Sequence, residues 1–295
     1  KADANIKDRT KSTALHLATS GGHFSIVSQL VSDGVDMDVN AQDASRNTAS
    51  HIAAKNGLKS IVSELITASP DLSLKNDQDY TVLHCASANG HHQVLKLLLD
   101  ALVANGAGGG TGGTAAIVNS KNKSGDTALH MAIVNGHKDA VSLLVAAGGD
   151  VNASNANNMS VLHLAASHGH DWAVPILHSG SADYNARTKE GQTALHLAVI
   201  YAKEGVIVQL RRLYDINIEQ TDATQSTALH LAVINRHSTI IEYLINEANC
   251  NLFAQNKLNK TAYVLAKDFG RGDPCVNILA KALMPHGKMI YESSK

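Results

Sequence analysis

The chain is poor in aromatic residues, cysteine and proline, and it carries almost no net charge. Phe, Trp and Tyr make up 4% of 295 residues, and 25 Lys and Arg stand against 26 Asp and Glu, a formal charge of −1. A nucleic-acid binder needs a basic footprint and usually stacking rings, so no nucleic-acid partner is expected. No apolar run approaches the ~20 residues of a membrane helix, which excludes direct membrane insertion by that route. No secretory signal is visible at the N-terminus. Cys85, Cys250 and Cys275 are odd in number and form no C-x-x-C pair. A disulfide framework is therefore not expected, and a reducing cytoplasmic or nuclear setting fits best. There is no Ser-His-Asp order with a nucleophile elbow, no dinucleotide fingerprint and no paired carboxylates in an apolar context. An enzyme reading has no residue to stand on, and no cofactor is implied.

What is present is repetition. Thr13-Ala14-Leu15-His16 returns as Thr48 to His51, Thr81 to His84, Thr127 to His130, Ser160 to His163, Thr193 to His196 and Thr227 to His230, with a worn eighth copy at Thr261 to Val264. The intervals are 35, 33, 46, 33, 33, 34 and 34 residues. A hydroxyl residue, a Leu and a His opening units about 33 residues long resemble the ankyrin repeat family. The resemblance covers nearly the whole chain. It implies an all-α solenoid of stacked helix-turn-helix units with β-hairpin finger loops, and a non-catalytic scaffold or adaptor that binds a partner protein or peptide. Alternatives are a stoichiometric inhibitor masking a transcription factor and a small-molecule or nucleotide sensor. A monomer is favoured.

The pattern within a unit has physical reasons. The opening Thr or Ser suits an N-cap, because its hydroxyl accepts a backbone N–H that a helix start leaves unpaired. Five residues on, all eight units have Ala (Ala18, Ala53, Ala86, Ala132, Ala165, Ala198, Ala232, Ala266), which lets neighbouring helices approach closely. Nine residues on, six units have Gly where a tight turn needs a left-handed backbone, and Ala202 and Arg236 depart from this. A second helix follows, with an apolar stripe such as Ile26-Val27-Leu30, Ile61-Val62-Leu65 and, in the fourth unit, Leu143. Cys85 stands where other units have Leu, Ile or Met and reads as a small core residue. Ser50 stands where others have Leu, which predicts weaker packing in the second unit.

Residues 1–12 read as the remnant of a preceding unit, 13–284 as the array and 285–295 as a tail or linker. The long interval carries a Gly-rich insertion at about 101–116, read as a flexible surface segment because no Gly-Lys-Ser or Gly-Lys-Thr follows to cradle phosphate. Pro175 removes a backbone donor, so the fifth unit's second helix should start late or bend. Asp273-Pro274 reads as N-cap and first residue of the last helix, with Ile278, Leu279, Ala282 and Leu283 as its buried stripe. In the finger, Gly125 and Gly191 keep the family's glycine, while Lys11, Arg46 and Gln225 should bring strain or a different turn.

The repeated histidines do not form a metal site by this reading. Equivalent positions in successive units lie roughly one helix-packing distance apart, about 10 Å, whereas zinc ligands converge within ~2.0–2.3 Å of one ion. The resemblance assigns them instead to hydrogen bonds that steady the turn. It also points to the ends of the first helices and the finger tips as the partner-binding surface. There the candidates are Val134, His168, Ile200, Tyr201, Ile234 and Phe269 on the helices, with Arg46, Tyr80, Met159 and Gln192 on the fingers. The apolar members either form an exposed strip that anchors a partner or tuck against the next unit and seal it.

Overall fold

Every residue that opens a unit has extended backbone, with φ between −77° and −90°, and is followed at once by a helix. In the computed structural model, which describes residues 3–32, 36–104, 113–213, 216–270 and 272–284, the chain is a succession of short helix pairs. The pairs are α1 (Ala14–Ser20) with α2 (Phe24–Val31), α3 (Ala49–Lys55) with α4 (Lys59–Thr67), and α5 (Val82–Ala88) with α6 (His92–Ala104). A lone helix α7 (Gly113–Val118) is followed by α8 (Ala128–Val134) with α9 (Lys138–Ala146), then α10 (Val161–His168) and α11 (Ala173–Ser179). The series ends with α12 (Ala194–Ile200) and α13 (Glu204–Arg211), α14 (Ala228–Ile234) and α15 (Ser238–Asn246), and α16 (Ala262–Lys267) and α17 (Pro274–Ala282). Among the described residues there is no strand beyond an isolated bridge. The fold is all-α, as the repeat pattern predicts.

The chain forms two compact bodies: Lys1–Ala156 with Ile176–Ser181, and Asn157–Pro175 with Ala182–Lys295. In the first, α1, α3, α5 and α8 pack in sequence, as do α2, α4, α6 and α9. In the second, α10, α12, α14 and α16 form the corresponding row, and α15 packs on α17. The alanine column makes this possible: each of the eight alanines is 5% exposed or less, so helix meets helix with no side chain between.

The second helices bury the expected stripe with three corrections. In α2 only Val27 is buried, Ile26 being exposed and Leu30 half-buried. The buried Leu of the fourth unit is Leu144, with Ala140 and Val141, at the spacing the other units use, and Leu143 is only half-buried. In α17 the buried side chains are Cys275, Val276 and Leu279, while Ile278, Ala282 and Leu283 are half-buried. One extra residue in the turn before Pro274 displaces that stripe. Asp273 is the N-cap as expected, its carboxylate accepting the Cys275 N–H at 2.9 Å. The helix that contains Pro175 starts late: α11 begins at Ala173, two residues later than α9 does in its own unit, and ends at the equivalent place, with Pro175 in its first turn. Ser50 is buried with its hydroxyl unpaired, a fault that costs about 1–3 kcal/mol.

The turns between paired helices are left-handed in all eight units. The six glycines lie at φ 70° to 100°, and Ala202 at 51° and Arg236 at 58° adopt the same conformation. A side chain there is strained by about 1 kcal/mol. Ala202→Gly is therefore expected to raise the unfolding free energy by about 1 kcal/mol, read from the urea midpoint at constant slope.

The fingers are turns rather than strand hairpins. They close on short-range backbone hydrogen bonds, such as Asp43 N–H to the Asn47 carbonyl at 2.9 Å with Arg46 N–H to the Asp43 carbonyl at 3.0 Å, and Asn76 N–H to the Tyr80 carbonyl at 3.0 Å with Asp79 N–H to the Asn76 carbonyl at 2.9 Å. Lys11, Arg46 and Gln225 sit at φ 58°, 60° and 58°, so they accept strain and keep the turn that Gly125 and Gly191 adopt without it. Adjacent tips are tied by backbone bonds: Ala44 to Thr10, Asp77 to Ser45, Lys123 to Gln78 and Ala156 to Ser124 in the first body, and Ala223 to Glu190 and Lys257 to Thr224 in the second. In the insertion α6 runs helical to Ala104 and α7 begins at Gly113. The glycine run at 105–112, the tail at 285–295 and Ala2 of the N-terminal remnant lie outside the described residues.

Candidate functional site

The seven repeated histidines are the most conspicuous polar side chains in the chain, and each is committed to the same local task. The N–H of the opening Thr or Ser donates to the Nδ1 of the His three residues later at 3.1 to 3.3 Å in all seven units. The opening hydroxyl lies 2.8 to 2.9 Å from the same nitrogen. Nδ1 is thus an acceptor, and a neutral ring must carry its proton on Nε2. His takes the place of Glu in a capping box.

Nε2 then reaches to the carbonyl just before the next unit's opening residue. His16 donates to Asn47 at 2.9 Å, His51 to Tyr80 at 2.9 Å, His84 to Asp126 at 3.1 Å, His163 to Gln192 at 3.1 Å and His230 to Lys260 at 3.1 Å. Each ring therefore couples one helix start to the next. His196 breaks the series: its Nε2 is buried without a hydrogen bond, although the Ser226 and Gln220 carbonyls act on it electrostatically. Burial lowers the pKa of His51, His84, His163, His196 and His230, that of His84 to about 4. Such rings are neutral above pH 6.5 and spent on structure. Cys85 is likewise buried, its thiol pushed up to about 12, which leaves no thiolate for chemistry.

The candidate surface divides by body. In the second, α10, α12, α14 and α16 bring His168, Ile200 with Tyr201, Ile234 and Phe269 to the same end of four consecutively packed helices. Tyr201 is 54% and Ile234 47% exposed, Ile200 is half-buried, and none is sealed as Val199 and Val233 beside them are. Phe269 is not an open apolar face: the Arg236 guanidinium lies 4.3 Å over its ring, and Arg236 also pairs with Asp273 at 3.6 Å. His168 is exposed but occupied, with Nδ1 2.9 Å from the Leu164 carbonyl and the ring stacked on His170. Met159 and Gln192 are half-buried, and Gln192 serves His163 through its carbonyl. In the first body Val134 is 40% exposed and Arg46 is exposed at its finger tip, whereas Tyr80 is half-buried and stacks on His84 with 5.6 Å between ring centres.

One feature of the first body is not visible in the repeat pattern. A cleft of about 610 Å3 opens between the ends of α1, α3 and α5 and the two fingers that precede α3 and α5. Carboxamides line it, from Asn47 and Asn76 through Asn56, Gln78 and Asn89. Part of this lining is locked. Asn76 Oδ1 accepts the N–H of Gln78 and of Tyr80, and its Nδ2 donates to Asn47 Oδ1 at 2.9 Å. Asn89 Nδ2 donates to the Cys85 carbonyl at 2.9 Å.

The comparison with protein families decides what this architecture is. A model of three consecutive ankyrin repeats matches overlapping segments of the chain at residues 1–76, 29–108, 50–155, 100–188, 147–220, 162–256 and 200–287. The chain belongs to the ankyrin repeat family. Matching segments run from one end of the sequence almost to the other, so the ankyrin units account for essentially the whole array, including the worn eighth copy. No curated protein matches it. Ankyrin repeats are in general protein-interaction modules, which makes surface rather than any interior cluster the place to look for function. Among the described residues of the ankyrin array no three His, Cys, Asp or Glu side chains group so as to hold a metal ion. Nor is any helix among them long and apolar enough to cross a membrane.

Proposed function

We propose that this ankyrin array is a non-catalytic adaptor that binds a partner protein through exposed apolar side chains at the ends of the first helices, chiefly Tyr201 and Ile234 with Ile200 beside them. The supporting observation is their exposure: Tyr201 and Ile234, at the ends of adjacent packed helices, stay open to solvent with Ile200 half-open beside them, while every neighbour in the alanine column is buried. Tyr is a frequent anchor in such patches, and a surface fixed by packed helices orders little on binding. Three free cysteines support a reducing intracellular setting for the adaptor.

Replacing Ile200, Tyr201 and Ile234 together by Glu is expected to abolish affinity capture of the main partner from cell extract while leaving the helical circular dichroism unchanged. Capture that persists in the triple variant contradicts this placement of the site.

A further inference from the structure

The cleft of the first body differs in chemistry from the apolar ends of the second. Its walls carry one charge of each sign. Lys55 ends α3 on the helix wall, and Asp77 sits at the finger tip before α5. Both are exposed, and neither joins an ion pair among the described residues. They do not pair with each other either, so both charges stay available to something between the walls.

The repeat itself shows that these two residues are departures. Lys55 stands seven residues after the opening Thr, and no other of the eight units has a cation at that position. Asp77 stands four residues before the opening Thr, where the other units have Ala, Lys or Arg and never an acid. The stacking needs neither residue, because the units without them fold in the same way. The same cleft is lined by the carboxamides of Asn56, Gln78 and Asn89. Each offers both a donor and an acceptor, the pair of groups that a peptide main chain presents. The backbone groups of the tips are already consumed, since Asp77 N–H bonds the Ser45 carbonyl at 3.0 Å and the Gln78 carbonyl accepts from Lys123 at 3.3 Å. Side chains are therefore what the cleft has to offer, and the bonds from Asn76 to its neighbours fix the finger wall in advance.

We infer that this cleft takes an extended peptide segment of a partner protein, its main chain against the carboxamides, with an acidic side chain toward Lys55 and a basic one toward Asp77. The inference rests on the interaction-module reading above and adds a polar, charge-ordered subsite in the first body. Ordering follows from the opposite signs: a peptide laid in with its two charges exchanged meets like charge on both walls.

The experiment is selection of a phage-displayed library of random seven-residue peptides on the full 295-residue chain. Enriched peptides are expected to share one acidic and one basic residue at a fixed spacing. A synthetic peptide of that sequence should lose at least about ten-fold in affinity, roughly one power of ten per 1.4 kcal/mol, on Lys55→Glu or Asp77→Lys. Exchanging the matching charge in the peptide should restore binding. The I200E/Y201E/I234E variant should bind the same peptide unchanged. Enrichment of no peptide, or of peptides indifferent to K55E and D77K, overturns the cleft. Peptides lost on the triple variant but retained by K55E and D77K also overturn it, while leaving the interaction-platform reading intact.

Discussion

Ile61→Ala lowers the unfolding free energy by about 2–5 kcal/mol, whereas the same change at Ile26 lowers it by about 1 kcal/mol or less. The two isoleucines hold the same place in consecutive units, at the start of α4 and α2. Ile61 is 3% exposed and Ile26 is 47% exposed. In the later units of the first body the equivalent side chains, Val94 and Ala140, are likewise buried to 1%, because α2, α4, α6 and α9 pack in sequence and each covers the next. Removing three carbons from a covered position leaves a cavity that rigid neighbours cannot collapse, and removing them from an open one leaves water. Chemical denaturation of the two variants side by side measures the difference. Equal losses would mean that the units do not lean on one another in series.

The second large effect is acid sensitivity. For His84 the unfolded ring has the ordinary pKa of 6.5 and the folded ring a pKa of about 4, lowered mainly by burial. Above pH 6.5 both states are neutral and the difference contributes nothing adverse. Below it the unfolded chain binds a proton that the folded chain refuses, so stability falls with pH and the loss is complete near pH 4. Two and a half pH units at 1.36 kcal/mol each come to about 3 kcal/mol from this ring alone. His51, His163, His196 and His230 shift in the same direction for the same reason and add to it. Geometry adds a structural consequence. Protonating Nδ1 turns an acceptor into a donor facing the N–H of the opening Thr, so the cap is lost as the charge arrives. Urea unfolding at pH 7.5, 5.5 and 4.5 should show the midpoint falling in steps below pH 6.5, and a flat profile would contradict the assignment.

How much of this was legible in the sequence depends on whether a feature repeats. The opening Thr or Ser, the alanine column and the left-handed turn recur in every unit, so spacing alone places them, and even the departures at Ala202 and Arg236 keep the conformation their neighbours impose. Where a unit gains a residue the pattern misleads: the extra residue before Pro274 shifts the last stripe to Cys275, Val276 and Leu279. In the fourth unit the spacing does hold, because the buried Leu144 stands as far from Thr127 as Leu65 does from Thr48, and Leu143 lies one residue off it. The site was less readable still. Tyr201 and Ile234 are exposed as their position at the helix ends suggests, but Phe269 lies under Arg236, a contact between residues 33 apart that no local rule supplies. The cleft is invisible to periodicity because Lys55 and Asp77 matter by differing from the repeat, and a pattern search discards differences.

The repeated histidines act as internal fasteners, which leaves recognition to the surface. Imidazole nitrogen NMR on the intact chain at pH 7.5 tests this directly, since each ring nitrogen reports whether it carries a proton. The expected result is seven rings protonated on Nε2, unmoved by stoichiometric zinc, with the His84 ring still neutral at pH 5.5. Rings protonated on Nδ1, or several rings shifting together as zinc is added, would contradict it.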